Sequence, residues 1–362
     1  MEANEQVSSR STGSKPVVCF LGPISSYTHQ ATMERFPPDQ FDLMPVTTIK
    51  DIFDTTQSGA ATYGVVPFEN STNGSVVFTL DHFADRENLY KDLNVCQEIY
   101  LDVHHCLLGH IAPSSSSSSS SSAAAVAPNP IGTEVGKEAG TSGQRTRPLH
   151  PISHIRRIYS HPQAFGQCTA FLGSWLRGVE TVDVSSTSRA AELALADKSG
   201  ESAAISSVAA AKLLSLDVLA RNIEDRSDNT TRFFVLRSGI GGDSPVPPST
   251  LPSSPETKPE EDDDAHLLSS TKSLLSFTVP HRSPGALADV LSCFRRGGLN
   301  LTSINSRPSL VGAFEYVFFV EFEGHRFRDP RGRVARVLED VAAVARTSRW
   351  LGSWENMRKG SA

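Results

Sequence analysis

Short apolar runs alternate with helical patterns through the first part of the chain. The runs at 17–22 (VVCFLG) and 63–68 (YGVVPF) are almost entirely apolar, which is typical of buried strands. At 186–196 (STSRAAELALA) Ala and Leu recur at helical spacing behind Ser186 and Thr187, and either hydroxyl can cap the helix. Strands that alternate with helices predict an α/β domain over 17–238 with a largely parallel sheet.

The last part of the chain has a different order of elements, βαββαβ. After its first strand, Ser283 is expected to cap a helix that carries Pro284 in its first turn. The helix should end at Gly297, where two glycines follow each other. Two strands, an amphipathic helix and a final strand complete the pattern. This order predicts a ferredoxin-like domain over 272–362.

Three segments are too poor in apolar residues to fold. The chain has 362 residues with 25 Gly and 22 Pro, and an unbroken serine run fills 114–122. Such segments cannot bury enough apolar surface to offset the entropy lost on ordering. We predict a disordered tail over 1–16, a low-complexity insertion over 112–152 and an interdomain linker over 239–271.

Charge and cysteine content exclude several classes of protein. The formal net charge of -6 argues against a general nucleic-acid binder. No apolar stretch approaches the roughly 18 residues of a membrane span. The 5 Cys are scattered without a CxxC pair, so they predict neither a disulfide framework nor a zinc ribbon. With no apolar signal segment at the N-terminus, we predict a cytoplasmic protein.

The βαββαβ segment also allows a second interpretation, an RNA-recognition module. It carries 14 Lys and Arg against 8 Asp and Glu, a net charge of +6, and FEYVFF (314–319) matches part of the aromatic pattern of such modules. The Lys/Arg-Gly pair that should precede it is missing, and Glu315 stands where a small residue belongs. We therefore interpret the aromatic residues as core and predict no nucleic-acid partner.

Uncharged polar residues collect after the predicted strands of 17–238, where α/β folds place their ligands. These hydroxyl and amide groups suit an anionic, oxygen-rich small molecule, although such hydroxyls also commonly cap helices. Dinucleotide, P-loop and GxSxG motifs are missing. His104, His105 and His110 have no Cys or carboxylate at ligand spacing, so no metal is predicted. The polar set comprises Ser26, Thr28, Asn70, Ser71, Ser160, Gln163, Gln167, Ser186, Thr187, Asn229 and Thr231, with Glu69 and Arg232 as charged members.

Five segments resemble, in order, the motif blocks of the prephenate dehydratase family. They are FLGPISSYTHQA (20–31), VVPFENSTNGSVVFTLD (65–81), YSHPQAFGQC (159–168), STSRAAELA (186–194) and NIEDRSDNTTRF (222–233). The SHPQ…QC and NxTRF blocks are highly specific. The resemblance continues into 272–355, which is similar to the regulatory ACT domain of that family through PGALADV (284–290) and NSRP (305–308).

The resemblance implies decarboxylative dehydration of prephenate to phenylpyruvate in L-phenylalanine biosynthesis, with no cofactor and no metal. It implies two lobes like those of type 2 periplasmic-binding proteins, with the substrate in the cleft between them. Thr231 matches the family threonine that donates to the departing hydroxyl, with Glu69, Asn70 or a water orienting it. Arg232 either pairs with the pyruvyl carboxylate or is structural, because strand neighbours face opposite ways. The implied substrate-binding residues are Ser26, Thr28, Ser71, Ser160, Gln167, Ser186, Thr187, Arg232 and Phe233.

The first block departs from the commoner GPxGTFS pattern of the family. Ser25 replaces Gly, Ser26 replaces Thr and Thr28 replaces Ser. Hydroxyls survive at both polar positions, but the loop loses its glycine.

The ACT resemblance implies allosteric inhibition by L-phenylalanine bound at a subunit interface, and hence a homodimer or homotetramer. Asn305 replaces the family glutamate, so a carboxylate able to pair with the amino group of the ligand is lost. This leaves the strength of inhibition open. The implied ligand-binding residues are Gly285, Ala286, Leu287, Asn305, Ser306, Arg307 and Pro308.

Two alternative functions stay open. Arogenate dehydratase performs the same chemistry on a substrate with an amino group in place of the keto group, and the missing plastid-type leader favours prephenate. A non-catalytic amino-acid sensor could use the same lobes, but it would not need Thr231 and the ENS residues at 69–71. Nothing resembles a chorismate mutase domain, so we predict a monofunctional enzyme.

Overall fold

The computed structural model describes residues 15–112, 146–239 and 266–358. Two compact units divide the chain: unit 1 comprises Met1–Val103 and Asp228–Ala362, and unit 2 comprises His104–Ser227. Most of the predicted tail, insertion and linker lies outside the described residues. The domain boundaries given above therefore stay a prediction.

Unit 1 opens with βα units whose strands are apolar because helices cover them. Val18, Cys19 and Phe20 at the centre of the first strand are fully buried. The elements are β1 (Val17–Leu21), α1 (Tyr27–Arg35), β2 (Asp42–Val46), α2 (Ile49–Gln57), β3 (Tyr63–Asn70), β4 (Gly74–Ser75), α3 (Val77–Ala84), β5 (Leu93–Asp102) and, after unit 2, β11 (Thr230–Ser238).

The sheet of unit 1 is mixed, and the expectation of a largely parallel sheet is wrong. β1 pairs in parallel with β2 and β3, since α1 and α2 connect these strands as crossovers. β11 instead lies antiparallel between β3 and β5. It re-enters from unit 2, so no crossover helix sets its direction.

Unit 2 has its own mixed sheet, in the strand order β10-β6-β9-β7-β8. β7 is parallel to β8 and β9, whereas β6 is antiparallel to β9 and β10. The elements are β6 (Cys106–Gly109), β7 (Arg157–Ser160), α4 (Pro162–Gly166), α5 (Thr169–Trp175), β8 (Glu180–Asp183), α6 (Thr187–Ala196), β9 (Ser202–Ser206), α7 (Val208–Leu214) and β10 (Asp217–Ala220).

The end of the predicted insertion belongs to the fold of unit 2. The Leu149 N–H donates to the Leu219 carbonyl over 2.7 Å, and Ile152 is buried in the same core as Ile158. The composition of the sequence groups Leu149 and Ile152 with the low-complexity segment because they directly follow it. Leu149 and Ile152 therefore pack with unit 2.

The remainder of unit 1 has the predicted βαββαβ order. The predicted cap of its first helix is wrong: Gly285, at φ 83°, is the N-cap, and Ser283 and Pro284 form a turn before it. The predicted helix end is confirmed, with Gly298 as a left-handed C-cap. The elements are β12 (Thr271–Thr278), α8 (Ala286–Gly297), β13 (Leu301–Pro308), β14 (Tyr316–Glu323), α9 (Arg333–Val344) and β15 (Thr347–Glu355).

The βαββαβ strands extend the sheet of the first part of unit 1. The strand order is β13-β14-β12-β15-β5-β11-β3-β1-β2, with β4 beside β3. β15 meets β5 at a single pair, Gly352 with Val95. Trp354 packs edge-on against Phe234 of β11, with 5.0 Å between ring centroids. The two parts of unit 1 thus share one hydrophobic core.

All five cysteines are free thiols, and four of them are buried. Burial raises the pKa of the Cys19 and Cys106 thiols, which keeps them protonated and unreactive. None of the helices in the described ranges is both long enough and apolar enough to span a membrane.

Candidate active site

The centre of the candidate site is a side-chain contact between β3 and β11. Asn70 and Thr231 are opposite each other in the antiparallel register of these strands. The Asn70 amide nitrogen donates to the Thr231 hydroxyl over 3.0 Å and to the Asn229 side-chain oxygen over 2.8 Å. Asn70 and Thr231 were both predicted as catalytic, and the fold brings them together.

The turn after β3 fixes the orientation of the Asn70 amide. Its oxygen accepts from the backbone N–H groups of Thr72 and Asn73 and from the Asn73 side chain, each over 3.0 Å. The amide nitrogen must therefore face Thr231, and the Thr231 oxygen must accept. The Thr231 proton then has no acceptor in the described part of the chain and is available for a ligand.

Asn229 and Ser71 hold the segment that leads into β11. Asn229 is buried, and its backbone carbonyl accepts from the Val103 N–H over 2.7 Å. The Ser71 hydroxyl donates to the Asp228 carbonyl over 2.9 Å and accepts from the Thr230 N–H over 3.0 Å. The Ser71 hydroxyl thus both donates to and accepts from the backbone. This favours a role in holding the segment over the predicted substrate contact.

Glu69 does not join Asn70 and Thr231. Its register partner is Arg232, and its carboxylate lies 3.8 Å from the Arg232 guanidinium. Successive residues of a strand point to opposite faces, so Glu69 and Arg232 face away from the Asn70–Thr231 pair. Of the groups predicted to orient Thr231, the structure places Asn70 there and not Glu69.

Arg232 belongs to a buried cluster of four charges. Its guanidinium binds Glu98 of β5 over 2.6 Å and Glu321 of β14, and it lies 4.8 Å from the Phe234 ring centroid. Lys272 of β12 completes the cluster at 3.3 Å from Glu98 and 3.5 Å from Glu321. Burial opposes the charge on Arg232, but Glu321 and Glu98 outweigh it and raise the Arg232 pKa. These contacts favour the structural role of Arg232 over the substrate-binding role.

Phe233 lies in the core and not at a ligand surface. It is 1% exposed and packs among apolar side chains that include Phe20 and Val65. The NxTRF motif carries both a reactive and a packing residue, and the motif match alone did not separate them. The buried position of Phe233 does not support its predicted contact with the substrate.

In the first motif block, Ser26 uses its hydroxyl for the local backbone. Ser26 caps α1 by accepting from the His29 N–H over 3.1 Å, and it donates to the Leu21 carbonyl over 3.1 Å. Thr28 is buried on the first turn of α1. Ser25, where the family pattern has glycine, keeps a left-handed backbone at φ 78°. The loop thus keeps the conformation of a glycine without having one.

In unit 2, Ser160 is fully buried and donates to the Ile205 carbonyl over 3.0 Å, which favours a structural role over the predicted substrate contact. Gln167 follows α4 and lies 2.8 Å from the imidazole of His105. Burial lowers the His105 pKa, so the ring is neutral at pH 7.

The hydroxyl pair at the start of α6 divides into a cap and a candidate ligand group. Ser186 is the N-cap and accepts from the Arg189 N–H over 3.1 Å, as predicted for one member of the pair. Thr187 is half-buried in the first turn and makes no side-chain hydrogen bond within the described ranges. Thr187 is therefore the better candidate of the two for a ligand.

The predicted L-phenylalanine residues fall into two groups in unit 1. Gly285, Ala286 and Leu287 form the start of α8. The other four are on β13, the edge strand of the sheet, where Ser306 and Pro308 are exposed.

Asn305 and Arg307, on the alternate positions of β13, contact the β4–α3 segment. Asn305 lies 2.7 Å from the Ser75 hydroxyl, and Arg307 binds both oxygens of Asp81 at 2.9 and 3.0 Å. Burial opposes the charge on Asp81, but hydrogen bonds from Arg307 and Arg86 lower its pKa.

Three residues at these places were not predicted as site residues. Asn229 was noted only as a polar strand-end residue, although the NxTRF motif contains it. His105 was considered only as a metal ligand. Ser75 gives no local signal, because its partner Asn305 is 230 positions away. Within the described residues, no group of His, Cys, Asp and Glu side chains is arranged to hold a metal ion.

The fold and the site together define a class. The protein is an α/β enzyme of two units, each with a mixed sheet, and unit 1 ends in a ferredoxin-like βαββαβ domain. Its candidate site is built from uncharged hydrogen-bonding groups. The family model described as prephenate dehydratase matches residues 18–127 and 144–239. The chain therefore belongs to the prephenate dehydratase family, whose members are carbon–oxygen lyases.

Known relatives agree with this assignment. A bifunctional chorismate mutase/prephenate dehydratase of Aquifex aeolicus is 32% identical over 93% of this chain and 73% of its own length. A probable prephenate dehydratase of Saccharomyces cerevisiae is 30% identical over 84% of this chain and 86% of its own. The crystal structure of prephenate dehydratase from Arthrobacter aurescens, in complex with L-Phe, superposes with a TM-score of 0.70 at 25% identity, covering 96% of this chain and 92% of that one.

Proposed function

We propose that this chain converts prephenate to phenylpyruvate and that Thr231 donates a hydrogen bond to the departing hydroxyl. The observation that carries this role is the orientation of the Asn70 amide. Three donors hold its oxygen, so its nitrogen donates to Thr231 and leaves the Thr231 proton for an acceptor other than Asn70. A hydrogen bond from Asn70 also makes the Thr231 hydroxyl a better donor.

The chemistry needs little more than such a donor. The bond between the ring carbon and its carboxylate breaks, and its electron pair enters the ring while carbon dioxide leaves. The carbon–oxygen bond on the opposite side of the ring breaks with its own electron pair, and the departing hydroxide takes a proton to become water. Because the product ring is aromatic, the reaction is downhill. A preorganised donor at the leaving oxygen stabilises the charge that develops there.

The position of Arg232 fits this scheme. A cation on the carboxylate that is lost would stabilise the ground state and slow decarboxylation. The Arg232 guanidinium is occupied by Glu98 and Glu321 and lies on the opposite face of β11 from Thr231. We therefore assign Arg232 to the scaffold and not to the substrate.

Taken by itself, unit 2 carries two side chains that are candidates for binding a ligand. Gln167 is oriented by His105 at the end of α4, and Thr187 presents a hydroxyl in the first turn of α6. Amide and hydroxyl groups of this kind can hold the oxygens of a dicarboxylate without a strong local charge. Conversion of Thr187 to Ala should raise KM and leave kcat nearly unchanged.

We further propose that L-phenylalanine inhibits the enzyme by binding at the βαββαβ domain, as an ACT domain does. The Arthrobacter relative was crystallised in complex with L-Phe. The edge strand β13 exposes Ser306 and Pro308, and Ile304 beside them is 51% exposed, which suits pairing with a second copy of the chain. Five free thiols favour a reducing, cytoplasmic location.

One assay tests the activity. Phenylpyruvate formation from prephenate is followed spectrophotometrically, and turnover of arogenate is measured in parallel as the alternative substrate. Thr231→Ala should lower kcat at least about 100-fold with little change in KM, whereas Thr231→Ser should retain most of the activity. Wild-type turnover by Thr231→Ala would remove Thr231 from the mechanism. Faster turnover of arogenate would replace prephenate as the substrate.

The regulatory part is tested on the full chain by calorimetry with L-phenylalanine. We expect saturable heat and inhibition over the same concentration range. No heat at millimolar ligand, in a preparation that turns over prephenate, would contradict the regulatory role alone.

A further inference from the structure

The regulatory edge strand contacts the turn that carries Asn70. Asn305 of β13 donates from its amide nitrogen to the Ser303 hydroxyl over 3.2 Å, which turns its amide oxygen toward Ser75. The Ser75 hydroxyl is then the donor to Asn305 over 2.7 Å. Both side chains are half-buried, so water competes only partly for this hydrogen bond.

Ser75 is separated from Asn70 by one short turn. β4 runs antiparallel to β3, with Ser75 opposite Glu69 and Gly74 opposite Asn70. The residues between Asn70 and Gly74 are those whose donors hold the Asn70 amide oxygen. A displacement of β4 therefore changes the direction in which the Asn70 amide nitrogen points, and with it the contact to Thr231.

A second contact holds the other end of the same segment. α3 follows β4 directly, and its Asp81 carboxylate binds Arg307 of β13 in bidentate fashion. The N-terminus of α3 has no side-chain cap of its own. β13 thus binds the β4–α3 segment at two places, and Asn305 supplies the one next to the catalytic turn.

We propose that Ser75 and Asn305 are positioning residues, which hold the turn at 71–75 so that Asn70 orients Thr231 for catalysis. This inference rests on the proposed role of Thr231. The backbone hydrogen bond from the Val76 N–H to the Phe68 carbonyl, at 2.8 Å, holds the hairpin independently. Loss of the side-chain contact consequently loosens the Asn70 geometry without unfolding the segment.

A double-mutant cycle on the full-length protein tests the proposal. Ser75→Ala and Asn305→Ala should each lower kcat about fivefold with KM within about twofold, the size of one lost hydrogen bond. The double variant should also lose about fivefold, since both changes remove the same contact. Ser75→Thr, which keeps the hydroxyl, and Asn305→Asp, which keeps an acceptor, should both restore most of the activity.

The matched control is Thr347→Val. Thr347 bonds the Thr278 hydroxyl over 2.7 Å within the same regulatory sheet, away from β4. The kcat of the Thr347→Val variant should equal that of the wild type. A loss in this control equal to that of Ser75→Ala, an additive loss of about 25-fold in the double variant, or wild-type kcat in both single variants would overturn the inference. A wild-type protein that does not convert prephenate would instead contradict the proposed function.

Discussion

Asn70 and Thr231 face each other across two antiparallel strands, with 3.0 Å between the amide nitrogen and the hydroxyl oxygen. The two residues are 161 positions apart in the chain, and unit 2 is inserted between them. Their contact therefore depends on the return of the chain into β11. The two residues also have different roles: Asn70 orients the Thr231 hydroxyl, and Thr231 carries the proton that is donated.

The direction of this hydrogen bond predicts the effect of Asn70→Asp. A carboxylate can still accept from the turn N–H groups, so the hairpin should remain folded. It cannot donate to Thr231, and instead accepts the Thr231 proton that the substrate needs. We expect kcat to fall about 100-fold, measured with prephenate at saturation.

Asn73→Ala is the control for this change. It removes one side-chain donor to the Asn70 oxygen but leaves the two backbone donors. Its kcat should stay within about threefold of the wild type. Equal losses in the two variants would show that the turn, and not the amide direction, is what matters.

The buried charge cluster predicts a large effect of Lys272→Met. The cluster holds Arg232 and Lys272 against Glu98 and Glu321, so removing one cation leaves a carboxylate unpaired in the core. The free energy of unfolding should fall by about 3–5 kcal/mol, measured by urea denaturation. Adding Glu321→Gln should recover part of the loss, since it restores the balance of charge.

Lys50→Met provides the comparison. Lys50 forms a 2.6 Å ion pair with Asp54, but both side chains are about half exposed. Its loss should cost at most about 0.5 kcal/mol. A similar effect of the two lysine variants would contradict the buried-cluster account.

The left-handed residue in the first motif block predicts a stabilising substitution. Ser25 adopts φ 78°, which costs a residue with a Cβ about 1 kcal/mol and costs glycine very little. Ser25→Gly should therefore raise the free energy of unfolding by about 0.5–1 kcal/mol. Ser58→Gly, at an ordinary φ of -72°, should lower it. The same sign in both variants would show that the conformation of Ser25 carries no strain.

A histidine in the regulatory part predicts a pH dependence of stability. Burial, with a smaller effect from the Arg328 charge, lowers the His325 pKa to about 4. In the unfolded chain the same imidazole binds a proton at about pH 6.5. The contribution of His325 to the free energy of unfolding is therefore complete above that pH. It is lost progressively as the pH falls from about 6.5 to about 4.

Measurements of the unfolding free energy at pH 7, 5.5 and 4.5 check this prediction. His325→Gln should flatten the decline in that range, because the group that titrates is gone. His266→Gln, at an exposed position, should leave the slope of the wild type. An unchanged slope in His325→Gln would assign the acid sensitivity to other groups.

Sequence patterns predicted the elements well and the site unevenly. Uniformly apolar runs predicted β1 and β3, and a capped helical period predicted α6, since these signals are local. The match to a motif did not show which of its members face a ligand, so Ser160 and Phe233 were placed at the substrate although both are buried. The partners of Arg232 lie 134 and 89 positions away, and no local pattern encodes such contacts.

Gly352 has one further consequence. It joins β15 to β5 at φ 142°, and a Cβ there would collide with the Val95 carbonyl. A side chain at this position would part the regulatory strands from the catalytic ones and open the core that Trp354 shares with Phe234. With glycine at position 352, the strands on both sides of the β15–β5 pairing should melt in a single cooperative transition. A ligand bound to the regulatory domain would then raise the melting temperature of the catalytic strands as well.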